Sequence, residues 1–431
     1  MGSPAGLLPL LGAALLPAPW IAVWATGSDS NPELTSALTG LAILGAAFLL
    51  SWAAELLQLE VSQALALALL ALIAVLPEYA VDAVFAFQAG RDPAVAQHGY
   101  AIANMTGANR LLIGVGWSSV VLLAWLRHGR RRVLLERSQA LEMGILLAAT
   151  VYALTIPFKG DLSLLDTAVL LGLFALYTWV TARLPSADPH LTGPAERVGA
   201  LGRGPRRLVT VGLLLYAALA IFLAAEPFAH GLVETGQALG VDEFLLVQWL
   251  APLASEAPEF VVALLFVWRG GAAAAMRTLV SSKVNQWTLL VATLPPVFGL
   301  GAGHLGGMPL VARQRDELWL TAAQSFFAIV LISKFELHRW EAVALLVPFL
   351  LQLGLPPGVG GINVHLAFTV GYVVVGALLL LDRRRRRAIR SWPACLRECV
   401  DAAPLSRATW EPLAPEVGPR SPGRRVGGDA A

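Results

Sequence analysis

From residue 7 to residue 381 the chain runs again and again for about twenty residues with few charges, the length of a helix that crosses a bilayer. These runs fall at 7–25, 37–57, 62–89, 99–126, 139–157, 163–183, 207–225, 242–269, 273–300, 317–333, 339–354 and 363–381, twelve candidate spans. Hydrophobic residues make up 57% of the chain and charged ones 14%, against roughly 25% charged in a soluble domain. So much apolar surface cannot be hidden in a soluble core. The expected fold is all-α and polytopic, with about 12 transmembrane helices. The same composition excludes a disordered chain, a collagen, a disulfide-rich secreted fold and a nucleic-acid binder. The two cysteines, Cys395 and Cys399, make no disulfide framework. The first basic residue is Arg91, so the N-terminal run lacks a positive leader; we read it as a membrane helix rather than a cleaved signal.

Arginine placement orients the spans. Arg127, Arg130, Arg131, Arg132 and Arg137 crowd the loop after the fourth span. Arg183, Arg197, Arg203, Arg206 and Arg207 flank the loop after the sixth, Lys334 and Arg339 follow the tenth, and Arg383 to Arg387 follow the twelfth. Residues 226–243 carry Glu226, Glu234, Asp242 and Glu243 with no base, and 355–362 carry no charge; Arg313 and Arg315 are the exception. The positive-inside rule then puts both termini in the cytoplasm. An arginine-rich chain whose only lysines are Lys159, Lys283 and Lys334 suits a prokaryotic inner membrane.

The expected organisation is an N-terminal extra helix (1–36), a first half (37–183), a cytoplasmic linker (184–206), a second half (207–354), a C-terminal extra helix (355–382) and a disordered Arg/Pro-rich tail (383–431). The arginine run in the tail reads as a stop-transfer signal, or as an attractor of anionic lipid.

The two halves share a repeat. Pro77-Glu78 aligns with Pro258-Glu259; Val81 then matches Val262, Phe85 matches Phe266 and Gly90 matches Gly271. Each copy is followed by a span interrupted by polar residues, ANMTGANRLLIGVG from Ala103 and RTLVSSKVNQWTLL from Arg277. Asn104 falls on Thr278, and Gly107-Ala108-Asn109 on Ser281-Ser282-Lys283. On this topology the copies are inverted. Inverted repeats with interrupted mid-membrane helices are a pattern of secondary transporters. Proline frees carbonyl oxygens, glutamate adds a carboxylate, and hydroxyls and amides of the next helix complete an oxygen shell of the kind hard cations prefer.

These segments resemble the alpha repeats of the calcium:cation antiporter superfamily, the sodium/calcium exchangers and their relatives, whose repeats typically read G-T-S-x-P-E and then G-N-x-x-G-S-N. The resemblance covers about 62–126 and 242–300. It implies ten core helices in two inverted halves, with Ca2+ or a similar cation exchanged against Na+ or H+, and no cofactor beyond the transported ions. There are departures. Ile73-Ala74-Val75 stands where the family has Gly-Thr-Ser, Ala254-Ser255-Glu256 keeps one hydroxyl and adds an acid, and Lys283 replaces an asparagine.

Intramembrane acids are functional by default, so Glu78 and Glu259 are expected to hold the cation. Asp82, one turn after Glu78, is a second ligand, a proton carrier or a partner for Arg110. Glu256 shares a face with Glu259 and is a ligand or the counter-ion of Lys283. Asn104, Asn109, Thr106, Ser255 and Ser282 supply neutral oxygens. Lys283 and Arg110 are charges that modulate the site; for Arg110 a structural pairing with a nearby acid is the stronger reading. Glu55, Glu60, Glu142 and Asp166 are expected near helix ends, reaching headgroups. His98, His128, His304 and His338 are too scattered for a metal cluster, and no reaction centre of an enzyme is visible. The expected partners are inorganic cations and the lipid bilayer, with no nucleic acid. Sodium-coupled exchange leads, proton-coupled exchange is its rival, and a degenerate non-transporting membrane protein is the third reading.

Overall fold

The computed structural model describes residues 7–28, 31–60, 76–183, 191–355, 358–359 and 362–406. It is helical almost throughout, as the apolar runs require. Lipid offers no partner for a free backbone group, so each run satisfies its own hydrogen bonds as a helix.

Before the first half lie α1 (Leu8–Leu15) and α2 (Ala18–Thr26). The first half holds α3 (Pro32–Leu57), α4 (Leu76–Arg91), a short α5 (Pro93–His98), α6 (Tyr100–Leu111), α7 (Ser118–His128), α8 (Ala140–Ala153), a single turn α9 (Ile156–Lys159) and α10 (Leu164–Thr181). After α11 (Pro194–Gly199), the second half holds α12 (Arg203–Leu239), α13 (Glu243–Trp268), α14 (Ala272–Asn285), α15 (Val291–Ala302), α16 (Ala312–Ile332) and α17 (Arg339–Gly354). Two helices close the described chain, α18 (Val364–Leu379) and α19 (Arg383–Ser406). Among the described residues, seven helical stretches are long and apolar enough to cross a membrane, and an eighth if the pair Val364–Leu379 and Arg383–Glu398, bent by 86°, counts as one.

Helix starts follow local rules. Asn31 caps Leu34 N at 2.8 Å ahead of Pro32, Asp92 caps Ala94 N at 2.8 Å ahead of Pro93, and Asp242 caps Phe244 N at 2.9 Å. Gly99 links α5 to α6 with φ 70°, a conformation that costs a side-chain-bearing residue, and an added Cβ there would also overlap the Gln314 side chain.

The halves interlock crosswise. First-half α4 packs on second-half α15, and second-half α13 packs on first-half α6. Glycines let both crossings close. A Cβ at Gly90 would overlap the Phe298 carbonyl, one at Gly301 the Phe87 carbonyl, and one at Gly107 the Gln248 carbonyl. Two short antiparallel ladders also join the halves: β1 (Arg132–Leu134) with β4 (Glu336–His338), and β2 (Asp161–Leu162) with β3 (Met308–Pro309). A third, β5 (Gly358–Val359) with β6 (Ile362–Asn363), precedes α18.

One expectation is corrected. The stretch read as a disordered tail begins with α19, which packs on α8 and the turn before it. Trp392 and Cys395 are buried, and Arg385 donates to the carbonyls of Val330 (2.6 Å) and Leu331 (2.9 Å) and pairs with Glu341. Composition hid an amphipathic period: Ile389, Trp392, Cys395 and Leu396 share one face.

Candidate cation site

The polar residues of α4, α6, α13 and α14 meet where the crosswise packing brings the halves together. Glu78, Asp82, Glu256, Asn104, Asn109, Ser282 and Lys283 are buried, and Glu259 is half-buried. Glu78 stands within electrostatic range of Asp82, Glu256, Glu259 and Lys283.

Each half builds one carboxylate–amide pair. In the first, Asn104 Nδ2 donates to Asp82 Oδ1 at 2.8 Å. In the second, Gln286 Nε2 donates to Glu256 Oε1 at 2.9 Å. Each pair leaves two buried oxygens with no hydrogen-bond partner: Asp82 Oδ2 and Asn104 Oδ1, Glu256 Oε2 and Gln286 Oε1. Glu78 Oε1 and Asn285 Oδ1 are likewise unpartnered. Buried polar atoms are normally satisfied, and each exception asks for an explanation. These six buried oxygens lack a donor, and a cation or protons would satisfy them. Among the described residues no three acid, histidine or cysteine side chains come close enough to hold a metal by themselves. Neutral amide oxygens are therefore part of any shell here.

Lys283 makes no direct ion pair with Glu256 among the described residues, although the two charges act on each other across the site. Its ammonium donates to Asn109 Oδ1 at 2.5 Å and to the Asn109 carbonyl at 3.3 Å, and it lies 4.5 Å from the Trp287 ring centre. Asn109 also donates to the Met105 carbonyl at 2.8 Å, so both ends of its side chain are engaged. Ser282 donates to Glu259 Oε2 at 2.5 Å. Two hydroxyls turn back on their own helices: Thr106 to the Ile102 carbonyl at 2.6 Å, and Ser255 to the Ala251 carbonyl at 3.2 Å. The departure at Ile73-Ala74-Val75 lies outside the described residues.

Arg110 belongs elsewhere. Asp82 is taken by Asn104, and Arg110 pairs at 2.6 Å with Glu317 of α16; both side chains are almost fully buried. His365 Nδ1 of α18 lies 3.5 Å from the same carboxylate. Arg110 follows Asn109 directly, so it leaves α6 about 100° around the helix and faces away from the cation site.

A π-helical segment directly follows the site on both sides, Leu112–Trp117 after α6 and Gln286–Leu290 after α14. Asn109 and Lys283 stand 174 positions apart, and so do the starts of these two segments. π-Bulges concentrate at functional sites because they re-aim side chains within a helix. Gln286, Asn285 and Glu317 were not singled out from the sequence; each is a polar residue inside an apolar run, the same signal that picks out Asn104. Glu142 is corrected as well. It does not reach headgroups but is buried against α14. Glu55, Glu60 and Asp166 lie near helix ends as expected, but they are bonded within the protein, to Thr192, to Arg206 and Arg207, and to Lys159, and Asp166 is fully buried rather than at the headgroups.

An open groove of about 700 Å³ lies on the outer side of α4, and none of the site's carboxylates lines it. It is lined by Ala83 and Val84, which follow Asp82, and by Arg91, Asp92, Glu226 and His230 toward the face that carries few arginines.

A sodium/calcium exchanger protein family model matches residues 34–183 and 209–356. Among solved structures, the H+/Ca2+ exchanger CAX is similar at 39% identity and TM-score 0.87, over 92% of this chain and 99% of that one. Native YfkE is similar at 14% identity and TM-score 0.56, over 86% and 99%. The sodium-calcium exchanger NCX_Mj is similar at 17% identity and TM-score 0.50, over 75% and 98%; at such identities the likeness is one of fold. No curated protein matches the chain.

Proposed function

The chain belongs to the sodium/calcium exchanger protein family, an integral membrane cation antiporter, and on that premise we propose that it exchanges Ca2+ or a similar divalent cation against protons by alternating access to one central site. The carrying observation is the set of unpartnered oxygens on Asp82 and Asn104 of one half and Glu256 and Gln286 of the other, with Glu78 within electrostatic range of acids from both halves. Hard cations take such oxygens. A cation held between the halves neutralises carboxylates from both, so the occluded state carries little uncompensated charge. When the cation leaves, protons on the same carboxylates do that job, and the switch proceeds again. The two species compete, which is what couples them.

Lys283 favours protons over sodium. Its amine occupies the Asn109 oxygen, and a sodium ion there would have to displace it. A proton needs a single carboxylate oxygen and no shell. The 39% identical H+/Ca2+ exchanger CAX supports the same choice. Sodium coupling is the second reading, supported by the sodium/calcium exchanger proteins that the matching family is named for. We place the arginine-rich loops and both termini on the cytoplasmic side of a prokaryotic inner membrane, as the positive-inside rule directs.

The test is calcium uptake into reconstituted vesicles under separately imposed pH and sodium gradients. Uptake driven by the pH gradient and lost in Glu78→Gln and Glu259→Gln supports the reading. Uptake driven by sodium alone moves it to the second.

A further inference from the structure

We propose that Glu142 is a proton station between the arginine-rich face and Glu259. The inference rests on the proton-coupled reading above and adds a residue outside the cation site. Glu142 lies in the first turn of α8, just beyond the loop that carries Arg127 to Arg137. It is 8% exposed, its Oε2 has no hydrogen-bond partner, and its Oε1 accepts from Ser281 Oγ at 3.5 Å. Tyr177 of α10 reaches the same serine, OH to Oγ 3.3 Å. The next residue, Ser282, donates to Glu259 at 2.5 Å. Two consecutive hydroxyls of α14 thus serve two carboxylates, one near the membrane face and one in the cation site.

α14 arranges these groups by depth. Arg277, one turn before Ser281, pairs with Glu136 at the face. Ser281 meets Glu142 and Tyr177. Ser282 meets Glu259, and Lys283 meets Asn109. The open groove lies toward the opposite face, and this polar ladder runs from the arginine-rich face.

The neighbours of Glu142 leave its charge unanswered. Tyr177 is the titratable group facing it from α10, and Arg277 on α14 is engaged by Glu136. Glu398 of α19 pairs with Arg137, and Glu317 of α16 with Arg110. None of the ion pairs among the described residues includes Glu142. A buried carboxylate without a base is neutralised by what arrives from solvent, and a proton is the smallest arrival. The transfer balances simply: one O–H bond breaks on Glu142 and one forms on Glu259. Any hydroxyl or water between them gives up one proton and takes one back.

The test uses the full chain in vesicles and separates cation handling from proton handling. Isotope counterflow of Ca2+ against Ca2+ moves no net protons, whereas uptake driven by a pH gradient does. Glu142→Gln should keep counterflow within about twofold and slow pH-driven uptake by about a hundredfold, the scale of a lost general acid–base. Ser281→Ala, which leaves the carboxyl in place, should slow the same process by less. A Glu142→Gln protein that slows neither process, or both equally, overturns the proposal. Wild-type counterflow without pH-driven uptake overturns the proton reading and this inference with it. Absence of counterflow in the wild type overturns exchange itself.

Discussion

Lys283 Nζ lies 2.5 Å from Asn109 Oδ1, and these two residues hold the same position in the two inverted repeats. The pseudo-symmetric pair meets across the centre of the protein, one side chain an amine and the other the oxygen it occupies. An ammonium so placed does part of what a bound ion would do.

Removing that charge should strengthen binding of a divalent cation. At an effective dielectric of about 20, two unit charges 4 Å apart interact by about 4 kcal/mol, and at twice that separation by about half as much. Lys283→Asn should therefore lower the Ca2+ concentration for half-maximal thermal stabilisation by at least about tenfold, equivalent to 1.4 kcal/mol. It should also allow Na+ to stabilise the protein, because Asn109 Oδ1 is released. A titration curve unchanged from wild type would show that the ammonium does not face the bound cation.

Glu78→Gln and Glu256→Gln should separate function from stability. Each carboxylate is buried and leaves an oxygen unpartnered, an arrangement that lowers stability in the absence of a ligand. The amide keeps the shape and removes the charge. The thermal midpoint of each purified variant should equal or exceed that of wild type, while calcium transport falls by about a hundredfold or more, the loss of a group on which binding and coupling both depend. A variant that transports at wild-type rate would remove that glutamate from the site.

Much of this architecture is legible in the residues themselves. Apolar runs mark the helices because a bilayer imposes their length, and Pro77-Glu78 and Pro258-Glu259 mark the repeat because acids are rare at that depth. Pairing is less legible. Arg110 finds Glu317 on a helix over two hundred residues later, and nothing in local spacing distinguishes that acid from Asp82, 28 positions before Arg110. The amides are hard to place for a related reason. Gln286 lies one turn after Lys283 and looks like a polar neighbour until Glu256 is found 2.9 Å away. In α19 the arginines dominate the composition, and the apolar period beneath them is visible only once the face they leave is seen to pack.

The Arg110–Glu317 pair should behave as a buried ion pair. Breaking one by removing a partner costs about 3–5 kcal/mol, whereas replacing both with apolar groups of similar volume is often neutral. Arg110→Met and Glu317→Leu should each lower the thermal midpoint sharply, and the double variant should recover most of the loss. His365→Leu should cost less, since its ring lies 3.5 Å from a carboxylate that keeps the arginine. If the single losses simply add in the double variant, the two side chains do not act as a pair.

Arg385 should be the arginine that holds α19, and its neighbours should not matter. It is buried and bonded to Val330, Leu331 and Glu341, whereas Arg384 and Arg386 are exposed. Hydrogen bonds to a charged group are worth about 1.5–3 kcal/mol each. Losing them in Arg385→Ala should let α19 leave the body, exposing Trp392, which is 5% exposed and donates to the Ser333 carbonyl at 3.2 Å. Thiol labelling of Cys395, buried on the same face, in a Cys399→Ser background reports that opening directly. The rate should rise by about tenfold or more for Arg385→Ala, since 1.4 kcal/mol is a factor of ten in the open population. It should stay at the wild-type value for Arg384→Ala. Equal rates in all three proteins would mean that the apolar face alone holds the helix, and that the arginine run serves topology and no more.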